Sequence, residues 1–228
     1  MRKIINYAKE ADTLNNIVYI PDRENAEVSE LPLLVFLHGA GERGENISHV
    51  ERGALPELID YIGKHNPAVV LCPQCPGDVV WDNIPEIIKK TIDITVYEYD
   101  IKPDRIVLTG ASMGGFGAVM MGMTYRNFFA GIVSVSGGGM SWRSHNLATT
   151  PMLFYHGDKD EAVPVEYSLM LYNELKKNNI AAEIKILPGL DHGDGIKEAY
   201  KDPYLINWIL SRRRKKFNHI PEFLEEMF

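Results

Sequence analysis

Thr109-Gly110-Ala111-Ser112-Met113-Gly114-Gly115-Phe116-Gly117 joins two segments of opposite character. Ahead of it, Arg105-Ile106-Val107-Leu108 is rich in strand-forming residues and bounded by turn signals, which predicts a strand over 105–109. Behind it, a run of Ala, Val and Met to about Tyr125 predicts a helix. Ser112 therefore stands on a tight strand-to-helix turn, with a glycine two positions before it and another two after. The spacing has a steric reason. A serine on so sharp a turn adopts strained backbone angles, and its neighbours approach so closely that side chains would clash. Such a turn holds the hydroxyl clear of the backbone, where it can act as a nucleophile. A bare G-x-S-x-G also arises by chance as a glycine-rich turn, so the rest of the chain has to supply the partners.

Outward from this turn, strands and helices alternate. Leu31-Pro32-Leu33-Leu34-Val35-Phe36-Leu37 is an unbroken apolar run, the pattern of a parallel strand buried on both faces. Residues 68–71, 131–136 and 151–157 read as further strands, and 182–187 alternates like a strand nearer the sheet edge. Residues 16–21 read as an edge strand ended by Pro21, within an otherwise mixed stretch 1–30 and ahead of a polar loop over 22–30. Helical spacing marks 53–65, 84–99, 167–177 and 196–216, the last broken near Pro203, and Pro85 suits a first helical turn. This alternation predicts an α/β fold: a mostly parallel central sheet, helices on both faces, one domain over residues 1–228. With no long insertion after 131–136, any lid over the site is small.

In such a sheet, ligands bind at the carboxyl ends of the strands. The polar residues that end strands are then the candidates: His38 with its glycine-rich loop, Ser112, Asp158 and Asp160, and His192 in Leu190-Asp191-His192-Gly193. A serine hydroxyl needs a base that titrates near neutrality, and histidine supplies one. The histidine needs a carboxylate to fix its tautomer and to stabilise the imidazolium that forms. The order Ser112, Asp160, His192 meets these needs. Among seven histidines, His192 alone has the right order and a flanking glycine. His38 belongs to the loop after the first core strand, and His156 ends a strand in a supporting position. His49, His65 and His219 lie in or beside helical segments, and His145 sits in a polar loop. For the acid, Asp160 is favoured by Val163-Pro164 turning into the next helix; Asp158 is the alternative, and Asp191 and Asp194 are weaker ones. Asp158 also suits a plain turn residue.

The negative oxygen that develops on an attacked carbonyl requires backbone N–H donors. Met113, the residue after the serine, supplies one. Ala40 in His38-Gly39-Ala40-Gly41 supplies the other, with Gly41 as runner-up and as a substrate contact. Trp81 either lines the acyl or alcohol pocket or simply packs.

Composition narrows the partners. The chain has 228 residues, 45% hydrophobic and 24% charged, with a net charge of −7. That acidic balance gives no field for nucleic acid, and no apolar run is long enough to span a membrane. The N-terminus lacks the apolar stretch of a signal peptide, so a cytoplasmic location is expected. Cys72 and Cys75 lie between prolines and read as reduced loop cysteines, without the helix or the second pair that redox or zinc chemistry needs. The basic run 212–216 reads as a solvated helix end. Association with further copies of the chain is left open.

His38-Gly39-Ala40-Gly41-Glu42-Arg43-Gly44, Pro73-Gln74-Cys75-Pro76 before Trp81, Gly110-Ala111-Ser112-Met113-Gly114-Gly115, His156-Gly157-Asp158-Lys159-Asp160 and Asp191-His192-Gly193 together resemble one branch of the α/β-hydrolase superfamily. It is the phospholipase/carboxylesterase-like and predicted-peptidase branch, and the motifs are also similar to those of feruloyl, acetyl-xylan and polyhydroxybutyrate-depolymerase-like esterases. The similarity covers about residues 31–210. It implies the α/β-hydrolase fold and a Ser112-Asp160-His192 triad, with the N–H groups of Ala40 and Met113 as oxyanion hole and no metal or cofactor. The expected activity is hydrolysis of a small carboxylic ester through an acyl-enzyme. A peptidase or thioesterase of the same fold, and a binding protein that keeps the fold alone, are the alternatives.

Overall fold

The computed structural model describes residues 1–8, 12–22, 28–65 and 68–214. Lys215, Lys216, His219 and the part of the polar loop over 23–27 lie outside them. Eight strands form one sheet: β1 (Arg2–Asn6), β2 (Asn16–Ile20), β3 (Leu33–Leu37), β4 (Val69–Pro73), β5 (Ile106–Ala111), β6 (Gly131–Val135), β7 (Met152–Gly157) and β8 (Ala182–Leu187). Their order is β1-β2-β4-β3-β5-β6-β7-β8. β1 and β2 are antiparallel to each other, β2 is antiparallel to β4, and all remaining pairs are parallel.

Helices cover both faces, as the unbroken apolar runs require. α2 (Pro85–Glu98), α3 (Met113–Thr124) and α4 (Glu166–Lys177) lie on one side, and α1 (Leu55–His65), α5 (His192–Lys201) and α6 (Pro203–Ser211) on the other. The pleat of β3 divides its side chains between the two cores. Leu33, Val35 and Leu37 join Ile88, Val119 and Leu171, whereas Leu34 and Phe36 join Leu58, Tyr200 and Leu205. Only β8, at the far edge, alternates buried and open positions.

Two elements differ from their sequence reading. The strand at 16–20 is not an edge: all five of its residues are buried, because β1 pairs along its outer side. β1 itself is mostly exposed and short, with an apolar signal too weak to stand out from the mixed N-terminal stretch. The last helical region begins earlier than its apolar spacing, at His192, and ends at Ser211. Its break is where proline placed it, with Asp202 capping α6 by accepting from the Tyr204 N–H.

The chain reverses its direction of sheet growth between β3 and β5. β4 adds on one side of β3, then β5 to β8 add on the other. At such a switch point the loops leaving the two strands splay apart and leave a crevice. The loop after β3 and the turn after β5 meet there, and the ends of β7 and β8 open on the same sheet edge. Between β6 and β7 the connection carries only a 3₁₀ stretch, Ser141–Leu147, and no large lid.

Candidate active site

Sterics build the turn after β5. Ser112 has φ 55 and ψ −120, a conformation rare for a residue with a side chain. A Cβ on Gly110 would stand 2.2 Å from the Gly114 carbonyl oxygen, and one on Gly114 would stand 1.9 Å from that of Leu37. Both positions must be glycine for α3 to start so close to β3.

The three predicted side chains converge. The Nε2 of His192 lies 2.9 Å from the Oγ of Ser112, and its Nδ1 lies 2.7 Å from the Oδ2 of Asp160. A carboxylate only accepts, so Nδ1 carries the hydrogen and Nε2 offers its lone pair to the serine hydroxyl. Asp160 is buried. Burial pushes its carboxyl up, but the Val163 N–H and His192 overcome that and hold it below the usual carboxylate range. Its Oδ1 accepts from the N–H groups of Ala162 and Val163 at 3.1 and 2.8 Å.

The other aspartates have structural tasks. Asp158 is exposed, and its Oδ1 accepts from the Gly189 N–H at 2.6 Å, which ties the loop after β7 to the loop after β8. Asp191 caps α5, accepting from the Asp194 N–H at 2.9 Å. His192 is thus the first residue of a capped helix, not part of a free loop.

The loop after β3 lies against the serine: a Cβ on Gly39 would be 3.7 Å from the Cβ of Ser112. Among the hydrogen bonds of the described residues, neither the Ala40 N–H nor the Met113 N–H is used by another protein group. Met113 is the first residue of α3, where N–H groups are orphans by geometry. A cleft of about 320 Å³ opens beside Ser112 and His192, with Ala40, Gly41, Glu42, Arg52 and Lys197 on its walls. Arg52 and Lys197 are isolated charges that carry no motif in the sequence, and Glu42 stands in the His38–Gly44 motif without an assigned role.

Trp81 does not line this cleft. It is fully buried, its indole N–H donates to the His38 carbonyl at 2.9 Å, and its ring rests on the His38 ring with centroids 4.9 Å apart. Gly117 makes room for it, since a Cβ there would be 2.5 Å from the Cβ of Trp81. Of the two readings, packing holds, because the indole is needed under the loop. His38 completes that support. It is almost wholly buried, and its Nε2 accepts from the Cys75 N–H at 3.0 Å. Its Nδ1 then carries the hydrogen and donates to the Gly39 carbonyl at 2.6 Å. Burial lowers its pKa to about 4, so it is neutral near pH 7, and the Glu42 carboxylate 3.9 Å away is no ion-pair partner. Gln74 fastens the far end of the loop, donating from Nε2 to the carbonyls of Glu42 and Asn46 at 3.1 and 2.8 Å. The Pro73-Gln74-Cys75-Pro76 motif carried this role unread.

Cys72 and Cys75 are both free and buried. Cys72 lies within β4, not in the loop, and burial raises its thiol well above the ordinary range and that of Cys75 to about 12, so both stay protonated. Past α6, Arg213 pairs with Asp104 at 2.9 Å and Arg212 stacks on Trp208, so the start of the basic run is docked and not merely solvated. Among the described residues, no group of His, Cys, Asp and Glu is arranged to hold a metal ion, and no helix is long and apolar enough to cross a membrane.

The sheet order, the serine turn at its switch point and the converging side chains define an α/β-hydrolase. The chain belongs to the phospholipase/carboxylesterase family, whose model matches residues 80–198, just over half of the chain. It is 26% identical over 197 residues to acyl-protein thioesterase 1 of Gibberella zeae, covering 70% of this chain and 82% of that one. The acyl-protein thioesterase 1 of Neurospora crassa is likewise 26% identical over 199 residues, covering 72% and 81%. Among solved structures, a thermostable esterase superposes with a TM-score of 0.83 at 26% identity, over 93% of this chain but only 63% of that one. A feruloyl esterase module from Clostridium thermocellum superposes with a TM-score of 0.75 at 14% identity, covering 96% and 91%, which speaks for the fold alone.

Proposed function

We propose that this protein is a serine hydrolase that cleaves carboxylic esters through an acyl-enzyme. The observation that carries the reading is the unbroken hydrogen-bonded line from Ser112 Oγ through His192 to Asp160, at 2.9 and 2.7 Å. In this reading Ser112 Oγ attacks the ester carbonyl carbon while its proton passes to His192 Nε2. The oxyanion is held by the N–H groups of Ala40 and Met113. Collapse breaks the carbon–oxygen bond, and the alkoxide leaves with the proton from His192. Water then attacks the acyl-serine and gives a proton to His192, which returns it to Ser112 as the acid departs. Asp160 holds the Nδ1–H tautomer and balances the imidazolium charge. The cleft, about 320 Å³, is at the small end of ligand sites, which run to about 1,000 Å³. Compact acyl and alcohol groups suit it.

A thioester substrate is the second reading, favoured by the 26% identity to two acyl-protein thioesterases. Chemistry at the serine is shared, and only the leaving atom differs. The test is a panel of p-nitrophenyl esters of rising chain length beside matched acyl thioesters, with fluorophosphonate labelling. Labelling at Ser112, loss of activity by about 10³-fold or more in Ser112→Ala, and a preference for short esters are expected. An unlabelled Ser112, or a Ser112→Ala variant as active as the parent, overturns the reading and favours a binding protein on a hydrolase fold. A thioester rate far above the matched ester rate moves the assignment to thioesterase.

A further inference from the structure

Asp160 faces two histidines. His192 is the one already placed; the other is His156, which ends β7, is wholly buried and touches no part of the cleft. Its Nε2 lies 2.8 Å from the Val163 carbonyl oxygen, which can only accept, so that nitrogen carries a hydrogen. The same nitrogen is 3.3 Å from Asp160 Oδ2. On the other side of the ring, Nδ1 is 2.8 Å from the Ser168 hydroxyl of α4, and that hydroxyl is 2.8 Å from the Gly137 carbonyl that follows β6. Nδ1 therefore accepts from the Ser168 hydroxyl, and the imidazole ties the end of β7 to the first turn of α4.

A carboxylate can rotate and exchange its two oxygens unless donors fix both. The two backbone N–H groups of Ala162 and Val163 hold Oδ1. Oδ2 accepts from His192 at 2.7 Å, and the His156 ring walls its other side with Nε2 3.3 Å away, that nitrogen's hydrogen being spent on the Val163 carbonyl; neither the Asp160 nor the His156 side chain is exposed, so bulk water cannot replace a lost contact. We propose that His156 is a positioning residue: its ring, anchored at Nδ1 by Ser168, holds the Val163 carbonyl through Nε2–H and so keeps the Asp160 carboxylate, clasped by the Val163 N–H, aimed at His192. It acts through Asp160 and does not touch substrate. The inference rests on the Ser112-His192-Asp160 reading.

The test compares His156→Leu, which fills similar space without a donor, with His156→Gln, whose amide restores one. Steady-state kinetics on a p-nitrophenyl ester are read beside the downfield Nδ1–H proton resonance of His192. The expected loss in kcat for His156→Leu is about 10- to 100-fold, the range seen when outer-shell partners of a metal-bound histidine are removed. KM should hold within about twofold, the resonance should weaken, and His156→Gln should regain most of the rate. A folded His156→Leu with parental kcat overturns the proposal. So do Leu and Gln variants equally impaired, since a merely structural histidine would give that result. If His156→Leu fails to fold, Ser168→Ala removes the anchor while leaving the ring; a severalfold fall in kcat at constant KM supports the proposal, and an unchanged kcat overturns it. Ser112→Ala separates the two ideas. An active Ser112→Ala breaks the underlying reading, whereas a dead Ser112→Ala beside an unaffected His156→Leu breaks only this one.

Discussion

The turn that carries Ser112 and the loops that carry Asp160 and His192 are held by different forces. At the turn, backbone meets backbone: Gly110 against Gly114, and Gly114 against Leu37, with no space for a methyl group. At the loops, side chains reach for amides and carbonyls. Asp158 holds Gly189, Asp160 holds Ala162 and Val163, Asp191 caps α5, and the Lys159 N–H donates to the Leu190 carbonyl at 3.0 Å. Packing of the first kind is all-or-none, since overlapping hard spheres cannot share the cost. Hydrogen bonds of the second kind are separate terms, each worth about 0.5–1.5 kcal/mol and dependent on burial. The turn under Ser112 should therefore tolerate no substitution, while the loops of Asp160 and His192 should degrade in steps.

The largest expected effect follows from the turn. In Gly114→Ala the new methyl would stand 1.9 Å from the Leu37 carbonyl oxygen, a backbone atom in a central strand that cannot move aside. We expect a loss of about 4 kcal/mol or more, seen as a melting temperature lowered by about 10 °C or more or as insoluble protein, with activity lost in either case. A variant with parental melting temperature and rate would show that the turn is not packed as described.

This contrast also explains how far the sequence could be read. Steric demands leave a local mark: glycines at fixed offsets, an apolar strand before, a helix after. The serine turn and the central strands β3, β5, β6 and β7 were legible for that reason. The convergence of Asp160 and His192 was legible only through chain order and strand ends. What escaped was support through space. Nothing near Trp81 in the chain indicates that its indole holds the His38 carbonyl, 43 positions away, or that Gly117 is vacant on its behalf. β1 escaped because a mostly exposed edge strand has no inner face to pattern. The family resemblance supplied motifs such as Pro73-Gln74-Cys75-Pro76 without their task.

A middle-sized effect probes the loop between the two regions. His38 has a pKa lowered by burial from 6.5 to about 4. Between those values the unfolded chain takes up a proton that the folded chain refuses, so stability falls as pH drops through this window. The full contribution, lost by about pH 4, is on the order of 3 kcal/mol. The nearby Glu42, raised by burial, works in the opposite sense and is present in both proteins of the comparison. Unfolding of the parent and of His38→Asn at pH 7 and pH 5 should show a difference between them that shrinks on acidification. A gap that stays constant would mean that residue 38 is not refusing a proton in the fold.

The smallest effect sets two aspartates apart. Asp158 and Asp160 leave the same strand and differ in burial: the first is exposed, the second buried against His192. Asp158→Ala removes one acceptor, that for the Gly189 N–H, and water can replace it at an exposed site. We expect a cost of about 1 kcal/mol, and a kcat within about threefold of the parent because His192 keeps its helix cap and its carboxylate. Asp160→Ala in the same assay should lose several orders of magnitude in rate, since no water reaches the position to orient the imidazole. The reverse ranking would make Asp158 the acid, and the hydrogen-bonded line through His192 would then have to pass through a rearranged loop. Burial, more than residue type or spacing, is what assigns these two identical side chains to different tasks.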